Sequence, residues 1–160
     1  MKITKQFRIV KIISGGQTGV DRASLDVAIA MGMEHGGFCP KGRLAEDGFV
    51  PLKYKMNELE IDDYSARTLK NVQFSDGTLI LHTGQIAAGT ALTEEFCSFE
   101  KKPLLKINTL DDFKVIRVNF NTWLEKNSIS TLNIAGPRES EAHICQRVKV
   151  ILMELLTEHI

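Results

Sequence analysis

The stretch Ser14–Arg22, with the sequence Ser-Gly-Gly-Gln-Thr-Gly-Val-Asp-Arg, most constrains the fold of this chain. The apolar run Ile9–Ile13 before it has the composition of a strand that is buried on both faces. After it, apolar residues recur at helical spacing as far as Met31. Glycine lets the backbone approach a ligand closely, and the start of a helix supplies free N–H donors and a favourable dipole. A strand, a glycine-bearing turn and a helix in this order therefore predict an α/β fold whose first loop binds an anion.

Further segments continue the alternation of strands and helices. The pattern predicts a short extended piece at 36–40, a helix at 64–72, a strand at 78–82, a helix at 90–99, a strand at 103–107, a helix ending near Asn127, a strand at 131–135 and a last helix at about 140–158. Residues 110–120 also fit a strand, although a helix is favoured, and residues 41–54 show no period and are predicted to be a loop. This alternation indicates an α/β fold with a parallel sheet covered on both faces, in which the loops after the strands share one edge. The length of 160 residues predicts one domain, 1–160.

Composition restricts the classes of function. Twenty basic residues balance twenty acidic ones, so no overall charge attracts the chain to nucleic acid or to a membrane. The cysteines Cys39, Cys97 and Cys145 are scattered and form no metal-binding pattern, and free thiols favour the cytoplasm. The segment Met1–Arg8 lacks the apolar core of a signal peptide. The partner is therefore expected to be a small molecule that one group of loops binds, with no metal site and no membrane contact.

Candidate binding residues follow three predicted strands and one further turn. They are Gly15, Gly16, Gln17, Thr18, Gly19, Asp21 and Arg22 in the first loop, Gly89, Thr90 and Thr93 in the second, Gly136, Arg138, Glu139 and Ser140 in the third, and Lys41 and Arg43 in the turn. Hydroxyl groups, glycine N–H groups and arginine forks are the donors that phosphate oxygens need. Structural alternatives exist, since a glycine turn can bind nothing and Thr90 or Ser140 can simply cap a helix. No catalytic residue is predicted.

The same segments resemble a known family. The runs 15–22, 40–43, 75–78, 89–90 and 133–140 are similar to those of the family named "putative molybdenum carrier", which is related to the molybdenum cofactor carrier proteins. That family belongs with the Rossmann-like superfamily of nucleotide-sensing and lysine-decarboxylase-like proteins. The resemblance implies a three-layer α/β/α Rossmann-like fold with a mainly parallel central sheet, usually in homo-oligomers such as dimers or tetramers. It also implies a ligand of the molybdopterin type, the molybdenum cofactor, or another phosphorylated nucleotide-like molecule.

One departure bears on catalysis. The phosphoribohydrolase branch of the superfamily carries Pro-Gly-Gly-x-Gly-Thr-x-x-Glu with a catalytic glutamate, whereas Glu94 falls one position later here. One residue rotates a helical side chain by about 100°. Binding and carriage of the ligand is thus the first hypothesis. A nucleotide-processing hydrolase that uses Asp21, Glu94 or Glu139, and a nucleotide-sensing module, are the alternatives.

Overall fold

The computed structural model describes residues 8–159, so the segment Met1–Arg8 lies, apart from Arg8, outside the described residues. Its strands are β1 (Lys11–Ile13), β2 (Glu34–Gly36), β3 (Phe38–Cys39), β4 (Leu44–Ala45), β5 (Gly48–Phe49), β6 (Asn57–Glu58), β7 (Gly77–His82), β8 (Leu104–Asn108) and β9 (Thr131–Ala135). Its helices are α1 (Val20–Ala30), α2 (Tyr64–Gln73), α3 (Ala88–Phe99), α4 (Phe113–Lys126), α5 (Glu139–Ala142) and α6 (Cys145–Thr157), with a 3-10 turn at Lys41–Arg43. The predicted α/β fold with a mainly parallel central sheet is confirmed.

The central sheet has five parallel strands in the order β2-β1-β9-β7-β8. The last strand of the chain therefore lies in the middle of the sheet, between β1 and β7. If β9 and α6 stood at the front of the chain, the order would read 3-2-1-4-5, which is that of doubly wound nucleotide-binding folds. The topology is thus a circular permutation of that arrangement, and its strand order reverses between β9 and β7.

The two faces of the sheet differ in chemistry. Because side chains alternate along a strand, Leu79 and Leu132 face the layer of α1, α4 and α6, with which they form the main apolar core. The adjacent positions Thr78 and Asn133 are buried on the opposite face, where the Asn133 amide donates to the Thr78 hydroxyl at 3.1 Å. On that side α2 and α3 pack against each other. The apolar face supplies the core, and the polar face leaves room for a site.

Two predictions about secondary structure need correction. The last helix was expected to run unbroken from Ser140, but His143 adopts a left-handed conformation with φ 46° and separates α5 from α6. The apolar positions that define α6 begin at Ile144, so their period carries no information about the residues before it. The predicted loop at 41–54 contains β4 and β5, which form a two-stranded antiparallel hairpin. We call residues 44–49 the acidic hairpin, because Glu46 and Asp47 form its turn.

Candidate functional site

A cleft opens at the carboxyl ends of β1 and β9 and is bounded by α2 and α3. The space open to the centre of a water molecule is about 130 Å³, which is room for roughly ten water molecules. The cleft lies where the strand order reverses, which is where open α/β sheets bind their ligands. Half of the predicted residues line it: Gly15, Gln17, Asp21, Gly89, Thr90, Thr93, Gly136 and Arg138.

The first loop is held by hydrogen bonds within itself and to the third loop. The Gln17 N–H donates to the Asp21 carboxylate at 3.2 Å, and the Ser14 hydroxyl donates to the Asp21 carbonyl oxygen at 3.0 Å. Gly19 has a φ of 80°, and a Cβ there would lie 2.4 Å from the Pro137 carbonyl oxygen. A side chain at Gly19 would therefore separate the two loops. The structure assigns Gly19 to loop packing, outside the lining of the cleft.

Asp21 and Arg67 form a buried pair at the inner end of the cleft. Arg67 Nη1 lies 3.5 Å from Asp21 Oδ2 and donates to the Gly15 carbonyl oxygen at 3.3 Å. Burial raises the pKa of Asp21 to about 6, although the Arg67 guanidinium and the backbone N–H groups of Gln17 and Gly15 act in the opposite direction. The cleft thus contains a carboxyl group that changes its charge near neutral pH.

Gln17 places an amide nitrogen without a partner in this region. Its Oε1 accepts hydrogen bonds from the backbone N–H groups of Thr18 at 3.1 Å and Glu46 at 2.9 Å. Since two donors point at that oxygen, the other end of the amide must be the NH₂ group. Nε2 is buried and, among the residues that the structure describes, has no hydrogen-bond acceptor. A buried donor of this kind costs free energy unless water or a ligand satisfies it.

The Tyr64 ring on α2 has two guanidinium groups near it, that of Arg67 at the inner end of the cleft and that of Arg138 on the outer wall. Arg67 and Arg138 lie 5.3 and 5.1 Å from the centre of the Tyr64 ring. Arg138 also approaches the Glu141 carboxylate at 3.8 Å and keeps 38 % of its side chain exposed. Arg67 keeps only 13 % of its side chain exposed and is held by its contacts with Gly15 and Asp21, whereas Arg138 can still turn toward a ligand.

The beginning of α3 forms the opposite wall. The helix begins after Ala87, so Thr90 lies inside it and is buried, and the prediction that Thr90 could be its N-cap is wrong. Thr93 lines the cleft, and its hydroxyl donates to the Gly89 carbonyl oxygen at 3.2 Å. Glu94 does not line the cleft, and its carboxylate instead pairs with Lys106 at 2.9 Å. The rotation expected from its shifted position therefore takes Glu94 away from the site.

The acidic hairpin engages several of the predicted anion donors. Glu46 contacts the Thr18 hydroxyl and accepts from the Ser140 hydroxyl at 2.5 Å, while Asp47 forms a two-point ion pair with Arg22. These hydrogen bonds hold the pKa of both carboxyls below their usual range. Thr18, Arg22 and Ser140 thus already bind carboxylates of this chain. Ser140 is also not a cap, because α5 begins after Arg138.

The remaining predicted residues lie outside the lining of the cleft. Arg43 donates to the carbonyl oxygens of Val50, Pro51 and Tyr54, each at 2.8 Å, and so fixes the base of the acidic hairpin. Lys41 lies beside residues 58–60. The Glu139 carboxylate accepts from the Cys145 N–H at 2.9 Å at the start of α6, and Gly16 adopts a φ of 75° in the first loop.

Sequence reasoning missed the contribution of α2. Tyr64, Arg67, Thr68 and Asn71 all line the cleft. They recur at i, i+3, i+4 and i+7, which places them on one face of a helix. A polar stripe on a helix that covers a sheet is the signal that could have identified them. Asn133, on the buried face of β9, was also missed.

The described part of the chain contains neither a metal-binding cluster nor a membrane-spanning helix. Residues 8–159 include no group of three or more His, Cys, Asp or Glu side chains arranged to hold a metal ion. Over the same residues, no helix has both the length and the apolarity required to cross a membrane.

The permuted sheet defines a doubly wound α/β protein, and its cleft lies at the reversal point where sheets of this class bind ligands. The chain belongs to the circularly permutated YpsA SLOG family, whose model matches residues 12–156. It is 47 % identical to a protein of Syntrophus aciditrophicus SB, whose crystal structure is titled as that of a putative molybdenum carrier protein. The match covers 92 % of this chain and 94 % of that one, with a TM-score of 0.89. No curated protein matches this chain. The permutation read from the strand order agrees with the description of the family.

Proposed function

We propose that this chain binds and carries a small phosphorylated ligand in the central cleft, with molybdenum cofactor as the first candidate. The observation that carries the proposal is the convergence of Gln17, Arg67 and Arg138 on one cleft where the strand order reverses. Guanidinium groups and amide N–H groups are the donors that phosphate oxygens require. The name of the similar protein of Syntrophus aciditrophicus supports a molybdenum-containing cargo.

The chemistry of the cleft fits a phosphorylated ring compound. The guanidinium and amide donors lie at its inner end, and Tyr64 with Arg138 forms an outer wall that suits a flat ring. In this proposal the protein contacts the phosphate and the ring of the cargo, and the molybdenum stays bound to the cofactor. The residues in contact are those that line the cleft, so Gly15, Gln17, Asp21, Gly89, Thr90, Thr93, Gly136 and Arg138 remain the proposed binding set.

The test is to weigh what the purified protein retains. Native mass spectrometry of the whole chain, followed by elemental analysis for molybdenum, should find one small molecule per protomer that contains phosphorus. A retained mass that contains molybdenum supports cofactor carriage. A phosphorus-containing mass without the metal indicates a nucleotide-like ligand, and failure to bind either molybdopterin or a panel of nucleotides would reject the proposal.

A hydrolase that acts on nucleotides is the second candidate, and the buried carboxyl of Asp21 favours it. A pKa of about 6 would suit Asp21 for proton transfer near neutral pH. Incubation with nucleoside monophosphates, with release of the free base as the measured product, tests this activity. Turnover that Asp21→Asn abolishes and Glu94→Gln leaves intact would establish it. A nucleotide-sensing role would instead appear as ligand-dependent association with a partner protein.

We further propose that the protein works in the cytoplasm as a homo-oligomer. Cys39, Cys97 and Cys145 are all free thiols, which suits a reducing compartment. Exposed apolar side chains on α4 and α6, such as Val118 and Val150, give a second copy a surface to cover. Light scattering of the purified chain measures the mass of the assembly, and a monomer at micromolar concentration would contradict the proposed oligomer.

A further inference from the structure

The inner end of the cleft holds donors whose partners lie outside the described protein. Gln17 is only 5 % exposed, and its Nε2 has no acceptor among the described residues. Two backbone N–H groups donate to Oε1. The amide therefore cannot flip to exchange the positions of Oε1 and Nε2 without losing both hydrogen bonds. Gln17 lines the cleft, so an acceptor there, either a water molecule or a ligand oxygen, can satisfy Nε2 once the side chain makes room for it.

Arg67 adds a second set of donors in the same place. Within residues 8–159, its Nε and Nη1 contact the Tyr64 and Gly15 carbonyl oxygens and the Asp21 carboxylate, and no partner is found for Nη2. Even the contacts that exist are long, between 3.3 and 3.5 Å. A guanidinium beside an amide NH₂ group favours an anionic oxygen over a neutral acceptor.

The Asp21 carboxylate would repel such an anion. Its carboxylate lines the same cleft and accepts from the Gln17 N–H and from Arg67. Two negative groups that share a buried site cannot both stay ionised at low cost. An anion can enter this end of the cleft only if Asp21 becomes neutral or moves, and the buried first loop gives it little room to move.

We propose that Gln17 and Arg67 form the subsite for an anionic oxygen of the ligand, and that Asp21 takes up one proton when that oxygen binds. This inference rests on the proposed function and specifies which part of the ligand lies innermost. The proton comes from solvent and remains on an Asp21 oxygen, and no covalent bond to the ligand forms or breaks. The protonated carboxyl can then donate a hydrogen bond to the anion that it would otherwise repel.

The surrounding charges are consistent with a neutral Asp21 in the bound state. Arg67 on α2 and Arg22 on α1 face the carboxyl, and Arg138 and Glu141 from the third loop and α5 line the same cleft. In the free protein, Arg67 and Arg22 lower the pKa of Asp21. The negative charge of a bound anion offsets this effect of the arginines and so raises the pKa. Burial raises the pKa of Asp21 to about 6 even in the free protein, so a modest further rise suffices to protonate it at neutral pH.

Sulfate is the probe of choice, because it stays fully ionised where phosphate esters titrate near pH 6. The full-length, ¹⁵N-labelled chain is titrated with sulfate at about pH 5.5 and about pH 8, and the resonance of the Gln17 side-chain amide reports binding. If one proton is taken up, the affinity should fall by roughly tenfold for each pH unit above 6. In Asp21→Asn the affinity should be independent of pH and should match the tight limit of the wild type.

Two further measurements make the test decisive. Gln17→Glu keeps the oxygen that accepts from Thr18 and Glu46 but removes the NH₂ donor, so sulfate affinity should fall at least tenfold. Calorimetry of the wild type in two buffers with different heats of ionisation counts the protons taken up, even if a variant fails to fold. Sulfate binding that does not depend on pH, or that leaves the Gln17 amide unshifted, would overturn the inference.

These experiments distinguish a failure of the anion subsite from a failure of the proposed function. Retention of a phosphorylated ligand without any effect of Gln17→Glu would reject this subsite and leave carriage in place. Conversely, sulfate binding with proton uptake in a protein that binds no pterin or nucleotide would support the subsite and reject the proposed cargo.

Discussion

Arg22 and Asp47 form a two-point ion pair that joins α1 to the acidic hairpin. Arg22 Nη2 lies 2.7 Å from Asp47 Oδ1, and Nη1 contacts the other carboxylate oxygen. The Arg22 Nε donates to the Gly16 carbonyl oxygen at 3.1 Å, so the guanidinium also braces the first loop. With its donors used in this way, Arg22 supports the edge of the cleft and does not line it.

This geometry predicts that Arg22 contributes to stability more than to ligand affinity. Arg22→Ala, Asp47→Ala and the double variant form a cycle, and urea unfolding should yield a coupling free energy of about 0.2–1 kcal/mol. Asp47 is 46 % exposed, which keeps the value within the range of surface pairs. Sulfate affinity should change by no more than about twofold in Asp47→Ala. A tenfold loss of affinity in that variant would mean that the hairpin itself belongs to the binding site.

Arg67 should matter most for anion binding. At about pH 5.5, where Asp21 is mostly protonated, Arg67→Ala should reduce sulfate affinity at least tenfold because the guanidinium is lost. Lys70→Ala, one turn later on α2, is the matched control, since its ammonium group lies over the Phe74 ring at 5.5 Å. Equal losses in both variants would indicate a general effect of positive charge. NMR titration of the Asp21 carboxyl should also show a pKa above 6 in Arg67→Ala.

Arg22 was predicted to bind the ligand but does not line the cleft, whereas Arg67 lines it and was not predicted. The contrast shows which parts of the site a sequence can reveal. The strands β7 and β9 follow local patterns of apolar residues, so their predicted bounds nearly match the structure. For α4 only the end was predicted, near Asn127, and the helix ends at Lys126. The first loop was also predicted, because its glycines mark it locally. Arg67, by contrast, reaches Asp21 across 46 positions in the chain, a contact that no local pattern contains.

The acidic hairpin illustrates a second limit. Residues 41–54 show no period, because β4 and β5 are only two residues long and pair chiefly with each other. Local reasoning therefore could not place Glu46 beside Thr18 and Ser140. Donors that suit a phosphate also suit a carboxylate of the same chain, and only the tertiary structure distinguishes the two.

Asp26 should make stability depend on pH. It accepts from the Tyr54 hydroxyl at 2.6 Å and pairs with Lys149 at 3.0 Å. Burial would raise the pKa of Asp26, but these partners outweigh it and hold the pKa below the usual value. The stabilisation is therefore complete above the unfolded-state pKa of about 3.9 and disappears as the pH falls through the folded-state pKa.

Asp26→Asn should thus lower the free energy of unfolding by about 1.5–3 kcal/mol at neutral pH. The difference from the wild type should be smaller at about pH 3, because the unfolded-state carboxyl is then largely protonated while the folded protein still resists proton uptake. Urea unfolding at the two pH values measures this, with Asp62→Asn at an exposed position as the control. A difference that stays constant with pH would show that the charge of Asp26 contributes nothing.

Gly15 should act on binding through Arg67. A Cβ at Gly15 would lie 2.2 Å from Arg67 Nη1 and 2.5 Å from its Cδ, so Gly15→Ala must push the side chain out of its place. Sulfate affinity at about pH 5.5 should then fall at least tenfold while the fold persists, because the end of a flexible side chain can move. In Arg67→Ala the clash no longer exists, so adding Gly15→Ala should cause no further loss of affinity. If the two losses add, the new methyl group must hinder the ligand itself, and the displacement of Arg67 would not explain the effect.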